Sequence, residues 1–204
     1  TFVNDADLNR DVANFLGDGT NFSVSSSMIR DIEGEYTLSL WLKPDSYPDI
    51  LTVAELFSDA VPNQNYATLQ GYLNPDGTVT IRQYATDSSG ATYTTTIASL
   101  PANMWSHLLV SWSSSDAEFN GLSIYLNGTL DIRNPAADQP PWNAVQNMLF
   151  GASQNADGSL YNQYVGRMAD LRFWYTALDP SQVATFYSYG VESERTLTLL
   201  AHYT

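Results

Sequence analysis

The dominant pattern along the chain is an alternation of apolar and polar residues with a period of two. In Tyr36-Thr-Leu-Ser-Leu-Trp-Leu-Lys43, Leu38, Leu40 and Leu42 share one face, while Thr37, Ser39, Trp41 and Lys43 share the other. Thr78–Tyr84 and Leu122–Leu126 alternate in the same way, and Trp105–Trp112 brings Leu108, Val110 and Trp112 together. Successive side chains of a strand point to opposite faces, so each run predicts a half-buried strand. Turn residues separate the runs at short intervals. Asn74-Pro-Asp-Gly77 between Leu69–Leu73 and Thr78–Tyr84 predicts a hairpin, and Ser88-Ser-Gly90 and Asn127-Gly128 mark further turns. One helix is predicted over Asp179–Tyr187, with Asp179 as N-cap, Pro180 at the first helical position and Gln182 at the third. Val183, Phe186 and Tyr187 then share its inner face. Roughly a dozen strand-like runs and one short C-terminal helix predict an all-β, two-sheet antiparallel sandwich, a single domain over residues 1–204. Asn134–Trp142, rich in Pro and Ala, is expected to be an ordered loop rather than a linker, because strand patterns continue on both sides.

Composition narrows the function classes. Of the 204 residues, 44% are hydrophobic and 13% aromatic, enough for a core and incompatible with disorder of the whole. Asp and Glu total 22 against 8 Lys and Arg, and the net charge is −14. Such a surface repels phosphate backbones and anionic membranes, so neither nucleic acid nor membrane insertion is expected. Asp outnumbers Glu 16 to 6, which suits turns, caps and calcium ligation through oxygen. There is no cysteine, which excludes disulfides, thiolate zinc sites, iron–sulfur clusters and cysteine nucleophiles. It also tilts an extracellular reading toward a bacterial host. No apolar run approaches the ~18 residues of a spanning helix. Thr1–Gly17 is too polar for a signal peptide, so the chain is expected to be a mature protein or an excised module.

Four stretches carry a resemblance. They are Tyr36–Asp45, Trp105–Trp112, Leu122–Gly128, and Tyr164-Val-Gly-Arg-Met-Ala-Asp-Leu-Arg-Phe-Trp174 followed by Ala177-Leu-Asp-Pro-Ser181. In this order they resemble the laminin G-like and pentraxin-like branch of the concanavalin A-like sandwich group. Phe15–Val24 is similar to that branch's opening strand pair. The resemblance implies a jelly roll whose members mostly bind glycans, peptides or proteins, many through calcium at loops along one edge, with some glycosidases among them.

Glycosidases of this group place acids two residues apart on one strand. Glu33 with Glu35 and Glu192 with Glu194 have that spacing, but one pair sits at a turn and the other lies beyond the helix, so no enzyme is expected. His107 reads as a strand-end residue and His202 as a terminal one, too far apart for a zinc site. A glycan site needs aromatic platforms and planar hydrogen-bonding groups. Two loops have that composition, Asp59–Tyr66 with Asn63, Asn65 and Tyr66, and Ser153–Gln163 with Gln154, Asn155, Asp157, Tyr161 and Asn162. By the pentraxin resemblance, calcium ligands fall near Asn65 and near Ser153, Gln154 and Asn155. The second loop is shorter than the pentraxin pattern and holds a single acid, Asp157, which argues against two ions and leaves room for one weaker calcium. Asp18, in Leu16-Gly-Asp-Gly19, is a candidate for a structural calcium, and Asp170 is another. Asn, Asp, Gly and Ser are also what turns require. Trp41 and Tyr125 either floor a site or pack under the helix. Asn21-Phe-Ser and Asn127-Gly-Thr fit the glycosylation pattern, which matters only in a eukaryotic secretory host.

The expected function is a non-enzymatic, extracellular or cell-surface recognition module, lectin-like and calcium-assisted, in a bacterial adhesin or a secreted multidomain protein. The alternatives are a peptide- or protein-binding module or spacer of the same fold and, further off, a glycosidase.

Overall fold

The computed structural model describes residues 2–8, 10–25, 34–59, 69–84, 90–114, 120–137, 147–188 and 199–203. In chain order the strands are β1 (Phe2–Asp5), β2 (Arg10–Leu16), β3 (Phe22–Val24), β4 (Tyr36–Pro44), β5 (Ala54–Ser58), β6 (Leu69–Leu73), β7 (Val79–Tyr84) and β8 (Ala91–Thr95). Then come β9 (Ser106–Ser113), β10 (Gly121–Leu126), β11 (Thr129–Asn134), β12 (Met148–Phe150), β13 (Ser153–Gln154), β14 (Leu160–Tyr161) and β15 (Val165–Trp174). The helix α1 (Pro180–Ser188) and β16 (Leu199–Tyr203) close the chain.

The strands form two antiparallel sheets, as the alternation predicts. One has eight strands in the order β1-β2-β15-β4-β9-β10-β11, with β16 continuing along β15 beyond β2; the other has six, in the order β3-β12-β5-β6-β7-β8. Strands β13 and β14 form a separate hairpin. Leu38, Leu40, Leu42, Leu108, Val110 and Ile124 of the first sheet pack on Leu56, Phe57, Leu69, Ile81 and Phe150 of the second. Each fully buried side chain of this size contributes about 1.5–3 kcal/mol.

Local chemistry sets the turns. Gly77 N–H donates to the Asn74 carbonyl (3.0 Å), closing the predicted β6–β7 hairpin. Asn127 and Gly128 both take positive φ (51° and 76°), the two left-handed residues that a tight β10–β11 turn demands. At α1, Asp179 Oδ1 accepts from Ser181 N–H (2.8 Å) and Gln182 N–H (2.9 Å), while Asp179 N–H donates to Gln182 Oε1 (2.9 Å). This reciprocal cap satisfies donors that the first helical turn leaves free.

Helix α1 lies on the outer face of the eight-stranded sheet. Its Val183 and Phe186 pack on Leu109, Tyr125, Trp174 and Leu178. Tyr187 stacks on Trp41 at 5.7 Å and 19°. Trp41 and Tyr125 therefore anchor the helix and do not floor a site. Beneath α1, Asp170 has φ +53°, and the β4–β15 register shifts between Ala169 and Arg172. This bulge turns Asp170 and Arg172 to the same side, where Arg172 Nε and Nη2 donate to the two Asp170 oxygens, both at 2.8 Å.

Candidate functional site

The outer face of the six-stranded sheet is built differently. A bulge in β5 puts both Leu56 and Phe57 into the core, so Glu55 and Ser58 point outward. Phe57 fits only because Gly71 opposite has no side chain: a Cβ there would lie 2.5 Å from the Phe57 ring. Register carries two rows across the face. Glu55 lies beside Tyr72, then Thr80, then Thr95; Ser58 lies beside Gln70, then Arg82, then Tyr93.

Hydrogen bonds join the rows. Ser153 Oγ donates to Glu55 Oε2. Gln70 Nε2 donates to Ser58 Oγ (3.0 Å) and more weakly to Glu55 Oε1 (3.5 Å). The Gln70 amide oxygen accepts from the Tyr72 hydroxyl (2.8 Å) and from Arg82 Nη1 (3.0 Å). Arg82 Nη2 donates to the Tyr84 hydroxyl, and the guanidinium lies 4.4 Å from the Tyr84 ring centre and 5.5 Å from that of Tyr93. Arg82 Nε is buried and meets no acceptor. Tyr93 is 59% exposed and presents its ring to solvent.

The electrostatics follow from burial. Glu55 is fully buried, and burial pushes its pKa up to about 8, against the opposing pull of Ser153, Arg82, Ser58 and Gln70. At neutral pH it is a carboxylic acid. Burial likewise raises Tyr72 to about 12, with the Glu55 carboxylate adding to the effect. Glu55 is the only acid, and Arg82 the only base, within the strands of this sheet. A proton-sharing or nucleophilic pair of carboxylates is thus missing from these strands.

Chain continuing from β12 borders this face, and it contains one of the two loops singled out by composition. Asn162, at φ +49°, offers its carbonyl to Glu55 N–H (2.7 Å). Further out, the β13–β14 tip is bonded within itself. Asp157 Oδ1 accepts from Ser159 N–H (2.9 Å) and Ser159 Oγ (2.6 Å), and Asn155 Nδ2 donates to Ser159 Oγ (3.0 Å). Gln154 Nε2 donates to the Gly158 carbonyl (3.4 Å), and Tyr161 is 43% exposed. Asn63, Asn65 and Tyr66 lie outside the described residues.

Asp18 Oδ1 accepts from Thr20 N–H (3.2 Å) and Thr20 Oγ1 (2.5 Å), the same Asp-x-Ser/Thr turn that Asp76, Asp157 and Asp179 make. These contacts hold the Asp18 and Asp157 carboxyls below the usual range, Thr20 and Ser159 being the respective donors. Asp170 is taken up by Arg172. Among the described residues no three His, Asp or Glu converge as a metal cage would require. His107 is buried against Trp41 and Tyr187 under α1; burial, then the Arg172 charge, lower its pKa to about 3, so it stays neutral.

The residues of the sheet face were not singled out from sequence. Thr80, Arg82 and Tyr84 form the polar stripe of a recognised strand, a signal in plain view. Glu55 was hidden because the β5 bulge breaks the alternation.

Comparison with known proteins agrees with this architecture. The pentraxin of Limulus polyphemus superposes with a TM-score of 0.56 at 22% identity, over 76% of this chain and 70% of that one. A carbohydrate-binding module of Ruminococcus gnavus sialidase bound to α2,3-sialyllactose gives 0.65 at 15%, over 83% and 92%. Domain 4 of the arabinanase AbnA from Geobacillus stearothermophilus, in complex with arabinotriose, gives 0.65 at 18%, over 92% and 80%. At these identities the likeness is one of fold. Among curated sequences, adhesion G-protein coupled receptor D1 of Bos taurus is 22% identical over 48% of this chain, which spans about a tenth (10%) of that relative's length. Residues 16–184 match the family model for the concanavalin A-like lectin/glucanases superfamily, of laminin G type, and the chain belongs to that family.

Proposed function

We propose that this domain is a non-enzymatic recognition module of an extracellular or cell-surface protein, and that it binds glycans on the outer face of its six-stranded sheet. One observation carries the reading: Arg82, held by Gln70 and the Tyr84 hydroxyl, lies half-buried among Tyr72, Tyr84 and Tyr93, and the Tyr93 ring is exposed. A sugar ring stacks its apolar side on an exposed tyrosine while a neighbouring guanidinium reads its hydroxyls. Two structural neighbours of the same fold hold oligosaccharides, which supports the ligand class. The single buried acid of these strands favours binding over hydrolysis. The small share of the curated relative that the chain spans fits a module within a larger adhesive protein.

A glycan array in calcium and again in chelator tests this reading. Glycan binding that Tyr93→Ala weakens about tenfold or more, with the circular dichroism spectrum intact, is the expected result. Loss in chelator with the fold intact would favour calcium at Asn65, Asn155 and Asp157; persistence would discard the metal. Silence under both conditions would favour a protein or peptide partner. That second reading has its own support in Ile50 and Leu51, adjacent on a loop and 86% and 93% exposed.

A further inference from the structure

The described cations of this acidic chain are mostly paired. Lys43 and Arg167 hold Asp5, and Arg172 holds Asp170. Among the described residues Arg82 holds no carboxylate within 4 Å, although it is half-buried beside Glu55. Gln70 stands between the two, and its amide oxygen takes the hydrogen bond that an acid would otherwise take. Two tyrosine rings flank the guanidinium, and its Nε is left without an acceptor.

We propose that the outer face of the six-stranded sheet selects glycans that end in a carboxylate-bearing sugar, with Arg82 as the receptor for that carboxylate and Tyr93 as the platform for its ring. The proposal rests on the glycan-binding reading and specifies its ligand. The flat guanidinium fork matches a carboxylate in shape and charge, and charge-assisted bonds of this kind are stronger than those to a neutral hydroxyl. A net charge of −14 disfavours long polyanions, so one carboxylate at a chain end fits better than a heavily sulfated polymer.

Glu55 tunes the site. The groups facing it are Ser58 of β5, Gln70 and Tyr72 of β6, Arg82 of β7 and Ser153 of β13. While Glu55 is protonated, Arg82 carries the only charge of these strands. As pH rises through about 8, Glu55 ionises, cancels that charge and weakens the preference.

The test uses glycans ending in a hexuronic acid or a sialic acid, each beside its neutral parent, and reads the ratio of affinities. A preference for one or both acids of about tenfold is expected, and the two arms tell the acids apart. Arg82→Gln should erase the ratio, Arg82→Lys should keep part of it, and Glu55→Gln should hold it constant above pH 8. A merely structural Arg82 would change stability and leave the ratio alone. Equal binding of acid and neutral parent, or an unchanged ratio in Arg82→Gln, overturns this inference and leaves glycan binding standing. Absence of binding to every glycan overturns both.

Discussion

The two outer faces of the sandwich use similar components for opposite ends. Under α1, the eight-stranded sheet presents one acid, one arginine and a set of aromatics: Asp170, Arg172, Trp41, Trp174 and Tyr125. The six-stranded sheet presents Glu55, Arg82, Tyr72, Tyr84 and Tyr93. On the first face the charges meet bidentately and the rings are covered by the helix. On the second, a glutamine separates acid from base, the acid is protonated, and one ring stays in solvent. Composition does not distinguish a buried seam from an open face. Pairing and cover do.

The largest effect expected from this contrast comes from breaking each arginine's setting. Arg172→Met leaves Asp170 buried without its main partner, and removing one member of a buried pair costs about 3–5 kcal/mol. Arg82→Met breaks no ion pair among the described residues and leaves no buried carboxylate without its partner, so it should cost about 1.5–3 kcal/mol, the scale of hydrogen bonds from a charged group, and less than Arg172→Met. Urea unfolding of the two variants measures both. Equal losses would mean that Arg82 is as structural as Arg172.

Comparable in size is the pH dependence, which has opposite signs on the two faces. The folded pKa of Glu55, about 8, lies above its ordinary value of 4.5, so the folded chain keeps a proton that the unfolded chain has released. Stability therefore falls as pH rises from about 4.5 to 8, with a slope near 1.4 kcal/mol per unit for this one group. The folded pKa of His107, about 3, lies below its ordinary 6.5, so its contribution is lost as pH falls from about 6.5 toward 3. Glu55→Gln should flatten a urea-midpoint profile above about pH 6.5, steepen its rise between about 4.5 and 6.5, where the two groups otherwise offset each other, and leave it unchanged below about 4.5. An alkaline limb that survives the substitution would assign it to other groups.

What was legible in the sequence was local. Leu38, Leu40 and Leu42 in β4, the Asn127-Gly128 turn and the Asp179 cap each follow from neighbours a few residues away, and each stands where expected. The candidate sheet-face site depends instead on register across four strands, β5 to β8, and on the bulge in β5. Nothing near Arg82 in sequence says that Tyr93 is its cross-strand neighbour or that Gln70 will keep Glu55 from it. Asx turns have the opposite problem. Asp18, Asp76, Asp157 and Asp179 show one chemistry at four places, so Asn and Asp content alone marks turns and ligand loops alike.

The smallest effect separates the β13–β14 tip from the sheet face as the seat of binding. The Asn155 and Asp157 side chains spend their described hydrogen bonds on Ser159 inside the turn, while Ser153 and Asn162, at the hairpin's base, support Glu55. Asn155→Ala and Asp157→Ala should therefore loosen the tip, read as faster amide exchange at Ser159, whose N–H loses its Asp157 acceptor. Glycan affinity should stay within about twofold of the parent, as for a surface substitution away from the contact. Tyr93→Ala should show the reverse, with exchange at the tip unchanged and affinity lost. If the tip variants abolish binding and Tyr93→Ala does not, recognition belongs to the edge loops, and the tyrosine–arginine face is a structural surface like the one beneath α1.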